Sequence, residues 1–374
     1  METKKYRLKE VLKIGNGKDH SSLGEGIIPV YGSGGFMRNV DSFLYDGESV
    51  LLPRKGSLSN IQYVTGKFWT VDTCYYTKID NTIVDPYFLF ILLKSLDLSG
   101  FDSGASIPSM TSKTYYGLKV DIPNIETQKK IASYIKKYDS LIELNTKRIK
   151  TLEQMAENLY KEWFVRFRFP GHENAEFENG IPNGWEYKTA ADLSSVLQRG
   201  ISPDYDDEGE YTVISQKCIR TNIMDISESR RQTKAFKPEL NLQDADTVIC
   251  STGTGTLGRV GRVIGSYPNT TFDSHVTLVR AKKNVSKQFL YGALKNTQTW
   301  FMNMGIGSTN QQELYISVIR KTKLLVPTDN LMKDYENIVK PIHDNIGILI
   351  SDNENLIKQR DLLLPRLMSG KLEV

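Results

Sequence analysis

An internal duplication constrains this sequence more than any other feature. Four segments of the first half recur in the same order in the second half, at an offset that drifts only from 199 to 204 residues. The pairs are 50–58 and 248–257, 68–73 and 269–274, 86–94 and 287–295, and 118–123 and 322–327. This period is far too long for a solenoid, and small loop insertions explain the drift. Because 374 residues suffice for two or three domains, we expect two copies of one domain.

Each copy has the same predicted order of secondary structure. Short alternating strands separated by Gly, Asn and Ser turns come first, and the clearest strands are 71–79 and 272–280. A short helical run, a polar loop, a strand ending in proline and a long helix follow. The predicted fold class is α+β: two similar mixed α/β domains, separated by a pair of long antiparallel coiled-coil helices, in an internal pseudo-twofold repeat.

A long helical pattern closes each copy, and the first runs from about 126 to 164. Its apolar residues are alternately four and three positions apart, the spacing of a coiled-coil seam. The predicted seam comprises Ile131, Ile135, Tyr138, Ile142, Asn145, Ile149, Leu152, Leu159, Ile342, Ile346, Leu349, Asn353, Leu356 and Leu363. The polar Asn145 and Asn353 either fix the register or lie in a hydrated part of the seam. Pro341 is expected to kink the second helix or to mark its effective start.

Proline and glycine clusters set the expected domain borders. The prediction is a first globular domain at 1–125, a first long helix at 126–169, a linker at 170–184, a second globular domain at 185–329, and a second long helix with the C-terminal region at 330–374.

Composition excludes several classes of protein. Lys plus Arg exceeds Asp plus Glu by 4, a mild excess that permits a polyanionic partner without demanding one. Three separated cysteines without a CxxC pair disfavour disulfides and a cysteine zinc site, and they suit a reducing cytoplasm. The apolar stretches are too short to span a bilayer, so no membrane association is expected.

Motifs that resemble catalytic sites are each incomplete. Residues 253–258 spell GxGxxG, but the strand-like segment after them would not present a helix N-terminus to a dinucleotide. The Asp-Pro-Tyr-Phe motif at 85–88 lacks the second proline of the adenine methyltransferase tetrad. No phosphate-binding GxxxxGK[ST] motif occurs, and the four histidines lack metal-ligand spacing. We therefore expect no catalytic residue and no metal.

Polar loops with cations and small hydroxyls remain, at comparable places in both copies. Such residues approach phosphate closely, neutralise it, and can hydrogen-bond to base edges. Taken singly, each loop is better explained as an ordinary polar turn, but its recurrence at equivalent places in both copies favours function. The candidate DNA-binding residues are Ser33, Gly34, Arg54, Lys55, Ser57, Ser109, Thr111, Lys113, Lys217, Arg220, Thr252, Thr254, Arg259, Asn310 and Gln311.

Seven motifs, spread over essentially the whole chain, resemble those of the specificity subunit of Type I restriction–modification systems. They are 28–35 (IPVYGSGG), 53–57 (PRKGS), 106–109 (SIPS), 123–132 (PNIETQKKIA), 156–164 (AENLYKEWF), 168–171 (RFPG) and 363–370 (LLPRLMSG). In the second copy, 216–220 and 308–312 match the first-copy loops only loosely. Different loops in the two copies suggest an asymmetric target.

The resemblance implies two target recognition domains, each reading half of a split double-stranded DNA sequence across a helical spacer. It also implies two methylation subunits docked on that scaffold, with restriction subunits joining the complex. No cofactor is then expected in this chain, because S-adenosylmethionine, ATP and Mg²⁺ would belong to the partner subunits, and the chain itself would be non-catalytic. Two alternatives stay open: a coiled-coil adaptor without a DNA role, and a self-sufficient DNA-modifying enzyme.

Overall fold

The computed structural model describes residues 2–96, 98, 108–253, 255–307 and 312–372. The chain divides into two compact units. Unit 1 comprises the described residues of Met1–Glu143 and Asn353–Val374, and unit 2 comprises those of Leu144–Asp352. Each long helix therefore contributes one part to each unit. The candidate loops 106–107, Thr254 and 308–311 lie outside the described residues.

Unit 1 contains ten strands, three short helices and parts of two long helices among its described residues. The strands are β1 (Thr3–Arg7), β2 (Leu12–Asn16), β3 (Ile28–Gly32), β4 (Gly35–Val40), β5 (Tyr45–Asp46), β6 (Ser49–Pro53), β7 (Gln62–Val64), β8 (Lys67–Thr70), β9 (Cys74–Ile79) and β10 (Lys119–Pro123). The helices are α1 (Leu8–Val11), α2 (Pro86–Lys94), α3 (Ser112–Gly117) and the start of α4 (Ile125–Tyr160). The sheets have the orders β1-β10, β2-β9-β6-β7 and β4-β3-β8-β5.

The core of unit 1 lies between its central sheet and its helices. The largest side chains there include Leu52, Phe88 and Tyr115, each almost fully buried. Ile131 of α4 and Leu367 near the chain's end join the same cluster. The long helices thus complete the hydrophobic core of this unit, which stabilises it by removing apolar surface from water.

Unit 2 has three sheets with the same relative strand order and a separate hairpin. Its strands are β11 (Phe177–Glu178), β12 (Ile181–Pro182), β13 (Glu186–Thr189), β14 (Ser194–Arg199), β15 (Tyr211–Ile214), β16 (Arg230–Gln232), β17 (Thr247–Cys250), β18 (Val260–Arg262), β19 (Thr270–Phe272), β20 (Val276–Ala281) and β21 (Lys323–Val326). Its helices are α5 (Ala190–Leu193), α6 (Lys287–Asn296), α7 (Gln298–Asn303), α8 (Ile316–Lys321) and most of α9 (Asp329–Met368). The sheet orders are β13-β21, β14-β20-β17-β18 and β16-β15-β19, and β11 pairs with β12.

An aromatic core anchors the long helices in unit 2. Phe164, in a π-helical turn (Lys161–Val165) that continues α4, packs 4.9 Å from Tyr335 of α9 and 5.1 Å from Phe289 of α6, measured between ring centroids. Tyr160 and Trp185 join this cluster. Large rings of this kind dominate the energetics of a buried contact, so α4, α6 and α9 are held as one body inside this unit.

Local capping explains where the short helices begin. The Asp85 carboxylate accepts a hydrogen bond from the Phe88 amide at 2.9 Å, and Pro86 occupies the first turn of α2. The Ser286 hydroxyl accepts from the Phe289 amide at 3.1 Å at the start of α6. Both are standard N-cap arrangements. The Asp-Pro-Tyr-Phe motif is thus accounted for by a helix start.

Three local expectations differ from the structure. Helix α9 begins at Asp329 and continues through Pro341, so Pro341 does not mark its start. Pro341 and Asn337 are both exposed, and water can satisfy the Asn337 carbonyl that the missing N–H would have bonded. Strands β9 and β20 begin later than 71 and 272, because turns closed by Cys74 N to Val71 O (3.0 Å) and Val276 N to Asp273 O (3.1 Å) precede them.

The expected linker contains ordered structure. Strands β11 and β12 form a two-residue hairpin within 170–184, with Asn179 at φ 51° and Gly180 at φ 81° in the turn. Asn-Gly adopts such positive φ values readily, which explains the tight turn. The segment is therefore a hairpin flanked by the buried Phe169 and Trp185.

Every predicted seam residue is buried or half-buried. Ile131, Ile135, Asn145, Ile346 and Leu349 are buried, and the remaining nine are half-buried. Contacts between α4 and α9 within each unit account for the burial of these residues. In unit 1, Arg360 Nη1 of α9 lies 2.7 Å from Asp139 Oδ1 of α4. In unit 2, the Tyr160 ring lies 6.3 Å from the Tyr335 ring.

Candidate nucleic-acid interface

In unit 1, three separate loops meet beyond the end of β6. The Arg54 amide donates to Thr73 O at 2.8 Å, and the Met110 amide donates to Arg54 O at 3.0 Å. Lys55 and Ser109 form an isolated antiparallel bridge, which ties the loop after β6 to the segment before α3. The backbone therefore fixes the position of this loop from both sides.

The loop after β3 joins the same group. The Asn60 side-chain amide donates to Ser33 O at 2.7 Å, and a Cβ at Gly56 would lie 3.3 Å from Ser33 Oγ. Gly34 has open space where a Cβ would be, and it is exposed. We call Ser33, Gly34, Ser109 and residues 54–57 loop cluster 1. It brings together six of the predicted residues: Ser33, Gly34, Arg54, Lys55, Ser57 and Ser109.

The cations of loop cluster 1 are available to a ligand. Arg54 and Lys55 are exposed, and within the described residues neither forms an ion pair. The Arg54 guanidinium lies 5.9 Å from the centre of the Tyr75 ring, which orients it without neutralising it. Exposed cations beside a small hydroxyl and an open glycine form a surface that can accept phosphate or a base edge.

Two predicted residues of unit 1 have different positions. Thr111 caps α3, where its hydroxyl accepts a hydrogen bond from the Thr114 amide at 3.2 Å. Lys113 is exposed in the first turn of that helix. The position of Thr111 is thus explained by helix capping. Lys113 follows Ser109 of loop cluster 1 by four positions in the sequence.

In unit 2, the corresponding loop follows β17. Thr252 forms an isolated antiparallel bridge with Glu313, and the Leu314 amide donates to Ser251 O at 2.8 Å. The Thr252 hydroxyl and His275 Nδ1 are 2.6 Å apart. The loop after β17 is therefore tied to the segment before α8 and to the start of β20.

A second group of predicted residues lies beside that loop. Arg259 Nη1 donates to Arg220 O at 3.2 Å, and a Cβ at Gly253 would lie 3.5 Å from Gln216 Cγ, next to Lys217. We call Thr252, Gly253, Arg259 and residues 216–220 loop cluster 2. Lys217 is exposed, and Arg220 lies 3.7 Å from Glu228 in an exposed pair of little energetic weight. Thr254, Asn310 and Gln311 lie outside the described residues.

Four polar residues of this region were not among the predicted set: Arg199, Glu313, His275 and Asp273. Arg199 Nη1 lies 2.6 Å from Glu313 Oε1, and its Nη2 donates to Leu314 O at 3.1 Å. His275 contacts Thr252. Burial raises the pKa of Asp273, while the His275 amide, donating to Asp273 Oδ1 at 2.9 Å, opposes that rise. One sequence signal could have identified His275: it occupies the position just before β20 that Thr73 occupies just before β9 in the other copy.

Two glycines at equivalent places also shape these loops. A Cβ at Gly17, just after β2, would lie 1.9 Å from Val71 O, and a Cβ at Gly200, just after β14, would lie 2.0 Å from Phe272 O. No side chain fits such a distance, so both positions require glycine for close backbone approach.

The remaining reactive groups are mostly shielded. Cys74, Cys218 and Cys250 are buried free thiols, and burial raises their pKa to about 12, 11 and 12 respectively. The GxGxxG segment leads into strand β18. The described part of the chain contains no group of three or more His, Cys, Asp or Glu that could hold a metal ion. Among the described helices, none combines the length and apolar character that a bilayer crossing requires.

Comparison with known proteins gives a consistent family. The family model described as the Type I restriction modification DNA specificity domain matches residues 1–154 and 182–355. The chain therefore belongs to the family of Type I restriction–modification specificity subunits, and its function is DNA sequence recognition within such a system.

Individual relatives are similar in sequence to this chain over most of its length. The Type I restriction enzyme MjaIX specificity subunit of Methanocaldococcus jannaschii is 24% identical over 78% of this chain and 70% of its own. The HindI specificity subunit of Haemophilus influenzae is 25% identical over 78% of each chain. The crystal structure of the Type I restriction–modification S subunit from M. genitalium has a TM-score of 0.63 at 16% identity, covering 98% of this chain and 96% of that one, so the fold is shared.

Proposed function

We propose that each unit reads one half of a bipartite DNA target through its loop cluster. One recurrent arrangement carries this proposal: the loop after β6 or β17 forms an isolated bridge with the segment before the last short helix of the unit, α3 or α8. The pairs are Lys55 with Ser109 and Thr252 with Glu313. Both loops present hydroxyl groups, and exposed cations accompany each of them. Such loops suit phosphate contact and base readout.

The two half-sites differ in sequence. Loop cluster 1 offers Arg54 and Lys55 on the bridged loop itself, whereas loop cluster 2 offers Thr252 there and supplies its cations from Lys217 and Arg220. Because donors and acceptors differ in type and position, they match different base edges. The target is therefore asymmetric.

The two units are copies of one duplicated domain, and α4 with α9 forms the spacer between the two readers. The identical relative strand order of the sheets supports the duplication. Within unit 1 Asp139 contacts Arg360, and within unit 2 the Tyr160 ring contacts the Tyr335 ring, so each unit by itself supports the proposed pairing of α4 with α9.

The subunit acts as a scaffold for catalytic partners. Two methylation subunits dock on it, restriction subunits join the full complex, and S-adenosylmethionine, ATP and Mg²⁺ are bound by those partners. The specificity subunit supplies recognition and no chemistry of its own. Membership of a Type I system supports this assignment.

A selection experiment tests the bipartite target. The chain is co-expressed with a methylation subunit, and bound fragments are selected from a random duplex library at one fixed salt concentration. We expect an asymmetric consensus in two parts with a fixed gap. A continuous single site would contradict two readers, and no enrichment at all would favour an adaptor without a DNA role.

Variants assign each half-site to one unit. In the same complex, Ser33→Ala with Lys55→Ala should relax one half of the consensus, and Thr252→Ala with Lys217→Ala should relax the other half. Lys55→Ala alone should lower the slope of log affinity against log salt by about one if it contacts phosphate. The exposed Lys9→Ala on α1 serves as the matched control. Equal relaxation of both halves by either pair would refute the assignment.

A further inference from the structure

An arginine of unit 2 is buried without a charged partner. Arg262, at the end of β18, is only 3% exposed. Its Nε and Nη1 atoms have no hydrogen-bond partner, and no carboxylate within the described residues forms an ion pair with it. An arginine keeps its positive charge even when burial lowers its pKa, as it does here. The negative charges of Asp244 and Glu336 oppose that lowering, but neither carboxylate forms an ion pair with Arg262. Buried charges are otherwise nearly always paired, so this site lacks a directly contacting counter-charge.

The buried guanidinium lines a partly enclosed cavity of about 40 Å³, counted as the space open to the centre of a water molecule. Its walls come from α4, β18, α6 and α9, all within unit 2. The lining residues include Glu153, Tyr160, Tyr291, Lys295, Tyr335 and His343. A space of this size holds only a few non-hydrogen atoms. A DNA backbone or a peptide segment could not enter it.

The neutral polar groups of the cavity are already engaged elsewhere. The Tyr291 hydroxyl donates to Asn222 O at 3.2 Å, and His343 Nδ1 lies 2.5 Å from Gln288 Oε1. The Tyr291 ring centre lies 5.4 Å from the Arg262 guanidinium carbon, which offsets part of the charge. Neither contact supplies the acceptor that the free N–H groups of the guanidinium require.

The charged neighbours leave room for at most one added negative charge, because Glu153 lines the cavity and Asp244 and Glu336, outside the lining, also act on Arg262. Lys161 is paired with Glu157 at 2.5 Å, and Lys295 donates to Gln298 at 2.6 Å. Glu153 Oε1 is buried without a hydrogen-bond partner, and burial raises the pKa of that carboxyl group. A multivalent anion would be repelled by Glu153, whereas a small monovalent anion could bind at Arg262.

We propose that this cavity binds a small monovalent anion, a halide or a short carboxylate such as formate, on the guanidinium of Arg262. The anion accepts hydrogen bonds from the free N–H groups and supplies the missing counter-charge. Because the walls belong to α4, α6 and α9, its binding stabilises the junction of the long helices with the second reading domain. This site is separate from both loop clusters and does not depend on DNA binding.

Thermal unfolding of the full chain tests the proposal in solution. The melting temperature is compared in chloride, bromide or formate and in gluconate, at one ionic strength, because gluconate is too large for the cavity. For the native chain, we expect the small anions to raise Tm by a few degrees, as a ligand specific to the folded state does. In Arg262→Met this difference disappears. In Arg320→Met, which replaces an exposed arginine of unit 2 outside the cavity lining, the difference persists.

A second variant separates an external anion from an internal counter-ion. Glu153→Gln removes a negative charge from the cavity, so we expect half-saturation at a several-fold lower concentration of formate. If Glu153 were itself the counter-ion of Arg262 through a bridging water, Glu153→Gln would lower Tm in gluconate. Formate would then bind to this variant, in place of the lost carboxylate, and not to the native chain. This result would overturn the proposal that the native chain binds an external anion.

Crystals grown in bromide provide a test that does not depend on a variant. We expect one anomalous peak within hydrogen-bonding distance of the Arg262 guanidinium. Density for water alone in the cavity would overturn the proposal, as would equal anion effects on the native chain and on Arg262→Met. If Arg262→Met fails to fold, the bromide peak and the Glu153→Gln titration still decide the question.

Discussion

The ion pair between Arg280 and Asp246 should be a major determinant of the stability of unit 2. Arg280 Nε and Nη2 donate to the two Asp246 oxygens at 2.8 and 2.7 Å. Its guanidinium also donates to the Glu239 and Asn241 carbonyls at 2.9 and 2.8 Å. The side chains are only 11% and 2% exposed, so water screens them little.

Removing the arginine would leave the buried Asp246 carboxylate with only the Gln243 amide as a partner, at 2.8 Å, and would remove the donor from the Glu239 and Asn241 carbonyls. Such a loss costs about 3–5 kcal/mol when one member of a buried pair is removed. For Arg280→Met, this corresponds to a urea midpoint lower by about 2 M at an m-value of about 2 kcal/mol/M. Lys340→Met is the control, because its pair with Asp344 is more than half exposed and should contribute less than about 1 kcal/mol.

Tryptophan fluorescence can report this transition selectively. Trp163, Trp185 and Trp300 lie in unit 2 and Trp69 lies in unit 1, so a Trp69→Phe background restricts the signal to unit 2. The double variant Arg280→Met with Asp246→Leu should recover much of the loss, because no charge is left buried. A loss below about 1 kcal/mol for Arg280→Met, equal to that of the control, would show that the pair is effectively hydrated and would refute the reasoning.

Three further perturbations have defined outcomes. Gly258→Ala should lower the free energy of unfolding in urea by more than about 2 kcal/mol, because φ is +74° and its Cβ would lie 2.5 Å from a backbone nitrogen of α7. The control Gly255→Ala, at φ +76° with open space around the Cβ, should lower it by only about 1 kcal/mol. Burial lowers the pKa of His343 to about 3, so as the pH falls the unfolded chain takes up a proton at this residue before the folded chain does. The free energy of unfolding should therefore fall by up to about 1.4 kcal/mol per pH unit from about pH 6.5 towards 3. A flat profile in that range, or the same profile in His343→Gln, would contradict this. Asp139→Asn removes the partner of Arg360 on α4 and leaves its pair with Asp361, so hydrogen exchange at the end of α9 should speed up about fivefold; unchanged protection there would argue against the contact between the helices.

Regular periodicity in the sequence predicted the long elements well. The first helical pattern was expected from about 126 to 164, and α4 with its π-helical turn covers 125–165. Long amphipathic patterns are readable because many residues repeat the same preference. Pro341 was expected either to kink the second helix or to mark its effective start, and only the second alternative is wrong: α9 begins at Asp329, because the buried face of a 40-residue helix outweighs the cost of one proline.

The recurrence of polar loops predicted where the candidate site lies, but not all of its members. Ser33, Lys55 and Ser109 meet in unit 1, a convergence that the sequence did not predict, and their contact with DNA stays a prediction. Arg199 and Glu313 were missed, because they are 114 positions apart and only the tertiary fold pairs them. Local sequence patterns do not report contacts at such separation.

The burial of the three native thiols makes the chain a convenient substrate for site-directed labelling. Alkylating reagents attack the thiolate, and a thiol whose pKa lies near 11 or 12 is almost entirely protonated at neutral pH. A cysteine introduced at the exposed Ser57 or Lys217 would then be the one readily modified position. Each loop cluster could carry its own cross-linker or fluorophore without removing any native residue from the core.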